Sequence, residues 1–235
     1  MIVCSHQPSF FPWTGYWNKV ALCDQIIMNC AVKFDYGGYQ NRVPFNGSWL
    51  TVPVEGDAKH KLVRDVRFFP EGLAKTVKTI RQQLGGKRWP GRHAINAILD
   101  RTLAETGDST FLADLNIAAF RAVAAHFRIK TQPVFDEQEP DERLAKCGRL
   151  VERIQRLTPK AQVYLAGAGF PTYFDEAAWP DELELKVQIL PEGLYNGTIM
   201  QLIAIDAALQ EVVAACPWKS HYVQQANSGR SAACG

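Results

Sequence analysis

Apolar and polar positions along this chain fall into short blocks whose period switches repeatedly between that of a strand and that of a helix. Residues 1–4 form a β-prone run, residues 16–23 look helical, and residues 25–28 are a second apolar run. Residues 49–54 read as a third strand with Pro53 near its end, and residues 63–68 alternate apolar with charged positions as a half-exposed strand would. Between residues 73 and 84 the apolar positions 73, 74, 77, 80 and 84 line one helical face, and Gly85-Gly86 stops it. Helices are expected over 94–103, over 114–127 and over 142–157, with a short strand at 132–135 between the last two. Residues 162–165 form a β-prone run into Gly167-Ala168-Gly169, residues 183–190 alternate as a strand, and residues 198–215 read as a closing helix. Alternating strands and helices predict an α/β single domain over 1–215, with a largely parallel, Rossmann-like sheet and flanking helices. Residues 216–235 lack periodicity and read as a C-terminal tail.

Composition narrows the classes open to such a domain. At 235 residues and 47% hydrophobic, the chain can bury a substantial core. No apolar run approaches the roughly 18 residues that a membrane-spanning helix needs. His6, Gln7 and two prolines interrupt the N-terminal segment where a signal peptide would be continuously apolar. The six cysteines form no CxxC pair, so neither a zinc site nor a disulfide framework is indicated, and a reduced, cytoplasmic protein is expected. No metal or cofactor is implied by any motif.

The net charge of +2 hides an uneven distribution. Residues 59–92 hold ten Lys/Arg against Asp65 and Glu71. Such a block either favours an anionic partner or serves only as a solvated, solubilising face. The partners it suggests are an acyl or peptidyl carrier protein, a nucleotide and, as the weaker class, nucleic acid.

Candidate chemistry concentrates where the first strand ends. His6-Gln7-Pro8-Ser9-Phe10-Phe11-Pro12-Trp13-Thr14-Gly15-Tyr16 is a rigid aromatic turn placed just past a strand's carboxyl end, where open α/β sheets bind ligands. His6 is a candidate general base, since an ordinary imidazole titrates near neutrality, about pH 6.5. Gln7 can stabilise an oxyanion through its amide N–H, while Trp13 and Tyr16 can wall a binding site. Alternatively His6 ties loop to strand and the aromatics are core. Cys30 follows the second apolar run; beside His6 it would make a thiol–imidazole pair able to carry an acyl group, and otherwise it is packing. Asn41 and Arg42 suit carboxylate or phosphate recognition. Asp206 lies amid Leu202, Ile205 and Leu209 and is expected to find an interior partner in Arg42, Lys19 or His6.

These residues resemble the WbqC-like family, bacterial proteins often encoded among cell-surface polysaccharide genes. The opening motif is matched at His6, Gln7, Pro8, Phe11, Pro12, Trp13, Gly15 and Tyr16, with Lys19 at a position where the family tends to carry lysine. Gln40-Asn41-Arg42, the run 49–54, Arg149-Leu150, Tyr164-Leu165-Ala166-Gly167 with Tyr173, and Ile205-Asp206 follow in the expected order, so the similarity spans about 1–210. The chain departs from the family at Asn29-Cys30-Ala31, where acids are usual, and at Ile203-Ala204, where a serine is usual. The resemblance implies an acyl or aminoacyl transferase that forms an amide between an activated donor, such as a carrier-protein thioester, and an amine acceptor such as an amino sugar. It also implies substrate-binding roles for Lys19, Tyr164, Tyr173 and Asp206.

Two other classes stay open. Phe11-Pro12-Trp13-Thr14-Gly15-Tyr16 loosely resembles the Phe-x-Pro-x-His-x-Gly-His loop of nucleotidyltransferases and pantothenate synthetases, although both motif histidines are absent. A nucleotide-dependent ligase is therefore one alternative. A nucleic-acid binding or modifying protein using segment 59–92 is the other. His6, Gln7, Tyr16, Asn41 and Arg42 are expected to converge on one cleft, with segment 59–92 at its flank.

Overall fold

The computed structural model describes residues 1–85, 89–190, 198–214 and 217–221. Its centre is a six-stranded sheet made of β1 (Ile2–His6), β2 (Gln25–Asn29), β5 (Gln132–Asp136), β6 (Val163–Ala166), β7 (Glu184–Gln188) and β8 (Trp218–His221). The spatial order is β5-β2-β1-β6-β7-β8. The first five of these strands run parallel, and β8 closes the β7 edge antiparallel. The chain thus winds outward from β1 in one direction, returns, and winds outward in the other. This is the Rossmann-like arrangement, with its topological switch point between β1 and β6.

Both faces are covered, so the inner strands are apolar without strict alternation. Helix α1 (Thr14–Leu22) follows β1 and buries Tyr16, Trp17 and Val20 on one face, together with Cys4, Ile26 and Met28. The other face receives α5 (Lys146–Leu157), whose Cys147, Leu150, Val151 and Ile154 pack with Val3, Ile27 and Tyr164. Odd and even positions of β1 therefore look into different cores, which decides the geometry of the site.

The connection from β2 to β5 holds an insertion of its own. It contains a hairpin, β3 (Arg42–Phe45) and β4 (Ser48–Thr51), then α2 (Pro70–Gly85), α3 (Arg92–Thr106) and α4 (Leu112–His126). Asn46 and Gly47 form the two-residue hairpin turn, with φ of 50° and 81°, the left-handed pair that Asn-Gly tolerates well. Trp17 stacks on Phe120 at 5.3 Å and 14°, which fixes α4 against the α1 face.

Three stretches differ from the sequence-based expectation. Residues 63–68 are not a strand of the sheet: Val63–Asp65 is a 3₁₀ turn, and Arg67 and Phe68 make only single bridges to Phe111 and Val54. The alternation there reflects a segment crossing a half-buried surface. The closing helix is broken into α6 (Ile199–Ala204) and α7 (Leu209–Ala214), because Asp206 takes φ 61° between them. Within the stretch read as a tail, Trp218–His221 pairs with β7.

The α3–α6 approach depends on a missing side chain. Gly91 donates its N–H to the Ala204 carbonyl at 3.0 Å, and a Cβ on it would lie 1.6 Å from the Ile203 carbonyl oxygen. Backbone must move to admit one methyl group. Gly91→Ala is expected to lower stability by about 2 kcal/mol, in the range typical of overpacking. A urea midpoint equal to wild type would show that α6 can shift freely.

Candidate functional site

A cleft of about 730 Å³ opens at the carboxyl ends of β1, β2 and β6, on the α5 face at the switch point. Ser5 and Gln7 bring it the β1 edge, Asn29 and Ala31 the β2 edge, and Tyr164 and Tyr173 the β6 side. Its fourth wall is the start of α5 with Lys146, Arg149 and Arg153, and Lys33 faces them from the loop after β2.

Asn29 is 8% exposed, and its carboxamide oxygen is buried without a hydrogen-bond partner among the described residues. Leaving a buried acceptor unpaired costs about 1–3 kcal/mol, so a ligand donor there is favoured. Burial raises the Tyr164 and Tyr173 phenols above their usual range, so both are neutral hydroxyls at neutral pH. Arg153 is held by Asp136 at the end of β5, and Arg156 supports the same carboxylate at 2.9 Å. Glu139 is paired with Arg64 at 3.2 Å. Lys33 and Lys146 have no carboxylate partner among the described residues, and Arg149 donates to the Leu144 carbonyl at 2.7 Å.

The residues expected to converge are divided by the sheet. Gln7 reaches the cleft, but His6, one position earlier, faces the α1 side. Its ring meets Trp13 at 5.1 Å and Tyr16 at 4.8 Å, both edge to face, and its Nδ1 lies 3.1 Å from the Gln7 carbonyl oxygen. Burial and the nearby Lys19 charge push the imidazole pKa down to about 3, so it is neutral at pH 7 and a weak proton acceptor. Tyr16 is fully buried and donates to the Met28 sulfur at 3.7 Å. Trp13 continues outward to Tyr39 at 5.0 Å, and Tyr39 to the exposed Trp49 at 5.6 Å.

The Arg42 guanidinium carbon lies over Trp49, 4.1 Å from the ring centroid, and Arg42 donates to the Gly37 and Gly38 carbonyls. Asn41 is 3% exposed and donates to the Val52 carbonyl at 3.0 Å, tying the start of the hairpin to the chain just past β4. Neither lines the switch-point cleft. Cys30 hydrogen-bonds the Met28 carbonyl, and burial followed by the charges of Glu137, Asp136 and Asp114 pushes its thiol up to about 12. A protonated thiol in acidic surroundings is a packing group: of the two readings of Cys30, the packing one fits, and Cys30 and His6 share no hydrogen bond among the described residues. Asp206 corrects the interior pairing expected for it: it is exposed, in the turn that ends α6.

Lys19 is 5% exposed beside Gly167, where a Cβ would lie 3.7 Å from its Nζ. Burial pulls its ammonium below the usual range, with Cys4 and Cys23 acting the other way. The Cys4 and Cys23 sulfurs are 3.3 Å apart.

Among its described residues, the basic segment 59–92 does not supply the cleft's cations. Among the described residues only Leu62 of that segment lines it. Lys61 pairs with Glu55 at 2.5 Å, and Arg81 with Asp100 at 2.5 Å. Lys78 and Arg81 border a separate groove of about 800 Å³ between α2 and the α3–α4 turn. Lys87 and Arg88 lie outside the described residues.

Sequence reasoning found Gln7, Tyr164 and Tyr173 among the cleft residues and missed Asn29, Lys33 and Lys146. Asn29 was visible only as a departure from an acidic pattern. Lys33 sits in a loop without periodicity, and Lys146 opens α5 on its exposed side, away from the apolar stripe.

A Rossmann-like sheet with a polar cleft at its switch point defines an α/β protein of the doubly wound class. The model of the WbqC-like protein family matches residues 7–192, and the chain belongs to that family. Neither a curated protein nor a solved structure matches it. Among the described residues no helix is long and apolar enough to cross a membrane.

Proposed function

We propose that the switch-point cleft transfers an acyl or aminoacyl group from an activated thioester donor to an amine such as an amino sugar, forming an amide. The observation that carries this reading is Asn29, a residue of the cleft wall whose carboxamide oxygen is buried and has no hydrogen-bond partner among the described residues. It is an acceptor for an N–H of the incoming amine and turns the nitrogen lone pair toward the donor carbonyl. Gln7, just past the end of β1 and in the same cleft, donates its amide N–H to the negative charge developing on the carbonyl oxygen. The nitrogen–carbonyl bond forms as the carbon–sulfur bond breaks, and the amine's proton leaves with the thiolate as a thiol.

This reading needs no acyl-enzyme. The protonated state of Cys30 supports direct attack, and the neutral His6 ring anchors the loop that carries Gln7. The test is amide formation followed by mass spectrometry, with an acyl thioester and a panel of amino sugars. Asn29→Leu is expected to lower kcat/KM by about 10²-fold with the fold intact. Cys30→Ala is expected to retain turnover. Full activity in Asn29→Leu would remove the cleft from the chemistry, and an inactive but folded Cys30→Ala would restore the covalent route.

A further inference from the structure

We infer that the α5 end of this cleft binds a phosphoryl group carried by one of the substrates, an inference that rests on the cleft being the site of transfer. Helix α5 is twelve residues long and begins at Lys146, immediately at the strand ends. No side chain caps its first turn, and Ala145 at the cap position has none to offer. A helix start of this kind presents backbone N–H groups and the positive end of the helix dipole.

Side-chain charge points the same way. Lys33 approaches from the loop after β2, and Lys146 and Arg149 come from α5 itself. With Arg153 bound to Asp136 and Glu139 bound to Arg64, these three cations face Glu142 alone among the lining acids. None of the three has a carboxylate partner among the described residues, and Arg149 donates to the Leu144 carbonyl. An arginine fork and two lysines around a helix start match the several oxygens of a phosphate or diphosphate.

The second, independent sign of a ligand is Asn29, 8% exposed and unpaired in the same cleft. It requires a donor, which a phosphate lacks. The ligand therefore has two unlike parts: a phosphoryl group at α5 and an N–H or O–H donor at the β2 end. A nucleoside-diphosphate amino sugar has both, and so does the phosphopantetheine arm of a thioester donor, with its amides and its phosphate.

The test is calorimetric titration at low ionic strength with three probes: inorganic pyrophosphate, uridine diphosphate and 4′-phosphopantetheine. At least one phosphoryl compound is expected to bind wild type. The double variant Lys33→Glu with Lys146→Glu is expected to bind at least about 10-fold more weakly, whereas Lys78→Glu on α2 is expected to bind as wild type. Both cleft lysines are exposed, so the fold is expected to survive; Lys33→Met with Lys146→Met provides the same comparison without reversed charge. Tighter binding of uridine diphosphate places the phosphates on the acceptor, and tighter binding of phosphopantetheine places the phosphate on the donor. Absence of binding by all three probes, or equal binding by the double variants, overturns the inference. Transfer to an unphosphorylated amino sugar at a rate insensitive to the double reversal overturns it while leaving the transferase reading intact. Charge-sensitive phosphoryl binding without any amide formation does the opposite.

Discussion

Asp136→Ala is expected to destabilise the protein by about 3–5 kcal/mol, the cost of stripping the partner from a buried charge. Asp136 ends β5 with its side chain 1% exposed, and Arg153, 10% exposed, is bound to it. Burial alone would raise this carboxyl's pKa, but Arg153 and Arg156 outweigh it and the net direction is down. Without the carboxylate, Arg153 would be left charged and nearly dry against the α5 core. The decisive comparison is by urea unfolding with a second variant, Asp136→Leu combined with Arg153→Met. Replacing both charges by apolar groups is expected to return most of the loss. An alanine variant as stable as wild type would mean that the guanidinium reaches water on its own.

His6 is expected to set the upper part of the acid limb of stability. Its imidazole is held near 3 in the folded chain, against about 6.5 when exposed. Below pH 6.5 the unfolded chain therefore takes up a proton that the native chain refuses. The His6 contribution is complete above pH 6.5, declines as pH falls, and is exhausted below about 3. Between those two pKa values the slope approaches about 1.4 kcal/mol per pH unit. His6→Phe keeps a ring against Trp13 and Tyr16 and removes the proton site. Its stability, measured between pH 6.5 and 4.5, is expected to be flatter than that of wild type. Parallel curves for the two proteins would show that water already reaches the imidazole.

The sheet was largely legible because its strands are short apolar runs separated by helices of clear period. β1, β2, β5, β6 and β7 lie where the apolar runs lie, and α2, α4 and α5 follow their apolar stripes. What misled were segments whose local pattern is overridden by tertiary contact. Residues 198–215 have helical spacing, yet Asp206 adopts a left-handed backbone that ends α6. β8 is too short to show alternation and owes its form to the β7 edge. The Asn46-Gly47 turn was a readable hairpin signal, and it explains why the apolar run after it belongs to a small separate sheet.

The site was legible in position and not in orientation. The motif after β1 does lie at the switch point. A strand sends successive side chains to opposite faces, so His6 at the end of β1 faces Trp13 and Tyr16 while Ser5, and Gln7 just past the strand, line the cleft. The sequence names both residues equally, and only the placement of α1 and α5 on different faces tells them apart. Arg42 and Asn41 are used up by their own hairpin, through contacts that no linear spacing reveals.

The long insertion between β2 and β5 also dictates the order in which the molecule is made. Gln25 pairs with Gln132 across the whole of it, whereas α3 and α4 are near neighbours in the chain and pack on each other. Closing so large a loop before any β2–β5 contact is gained is entropically uphill, while the helical pair meets early. On a ribosome, β1, α1 and β2 emerge before β5 and β6 and must wait for them with both strand edges uncovered. Until β5 and then β6 arrive, those edges leave the nascent chain open to capture by a chaperone or by another unfinished copy.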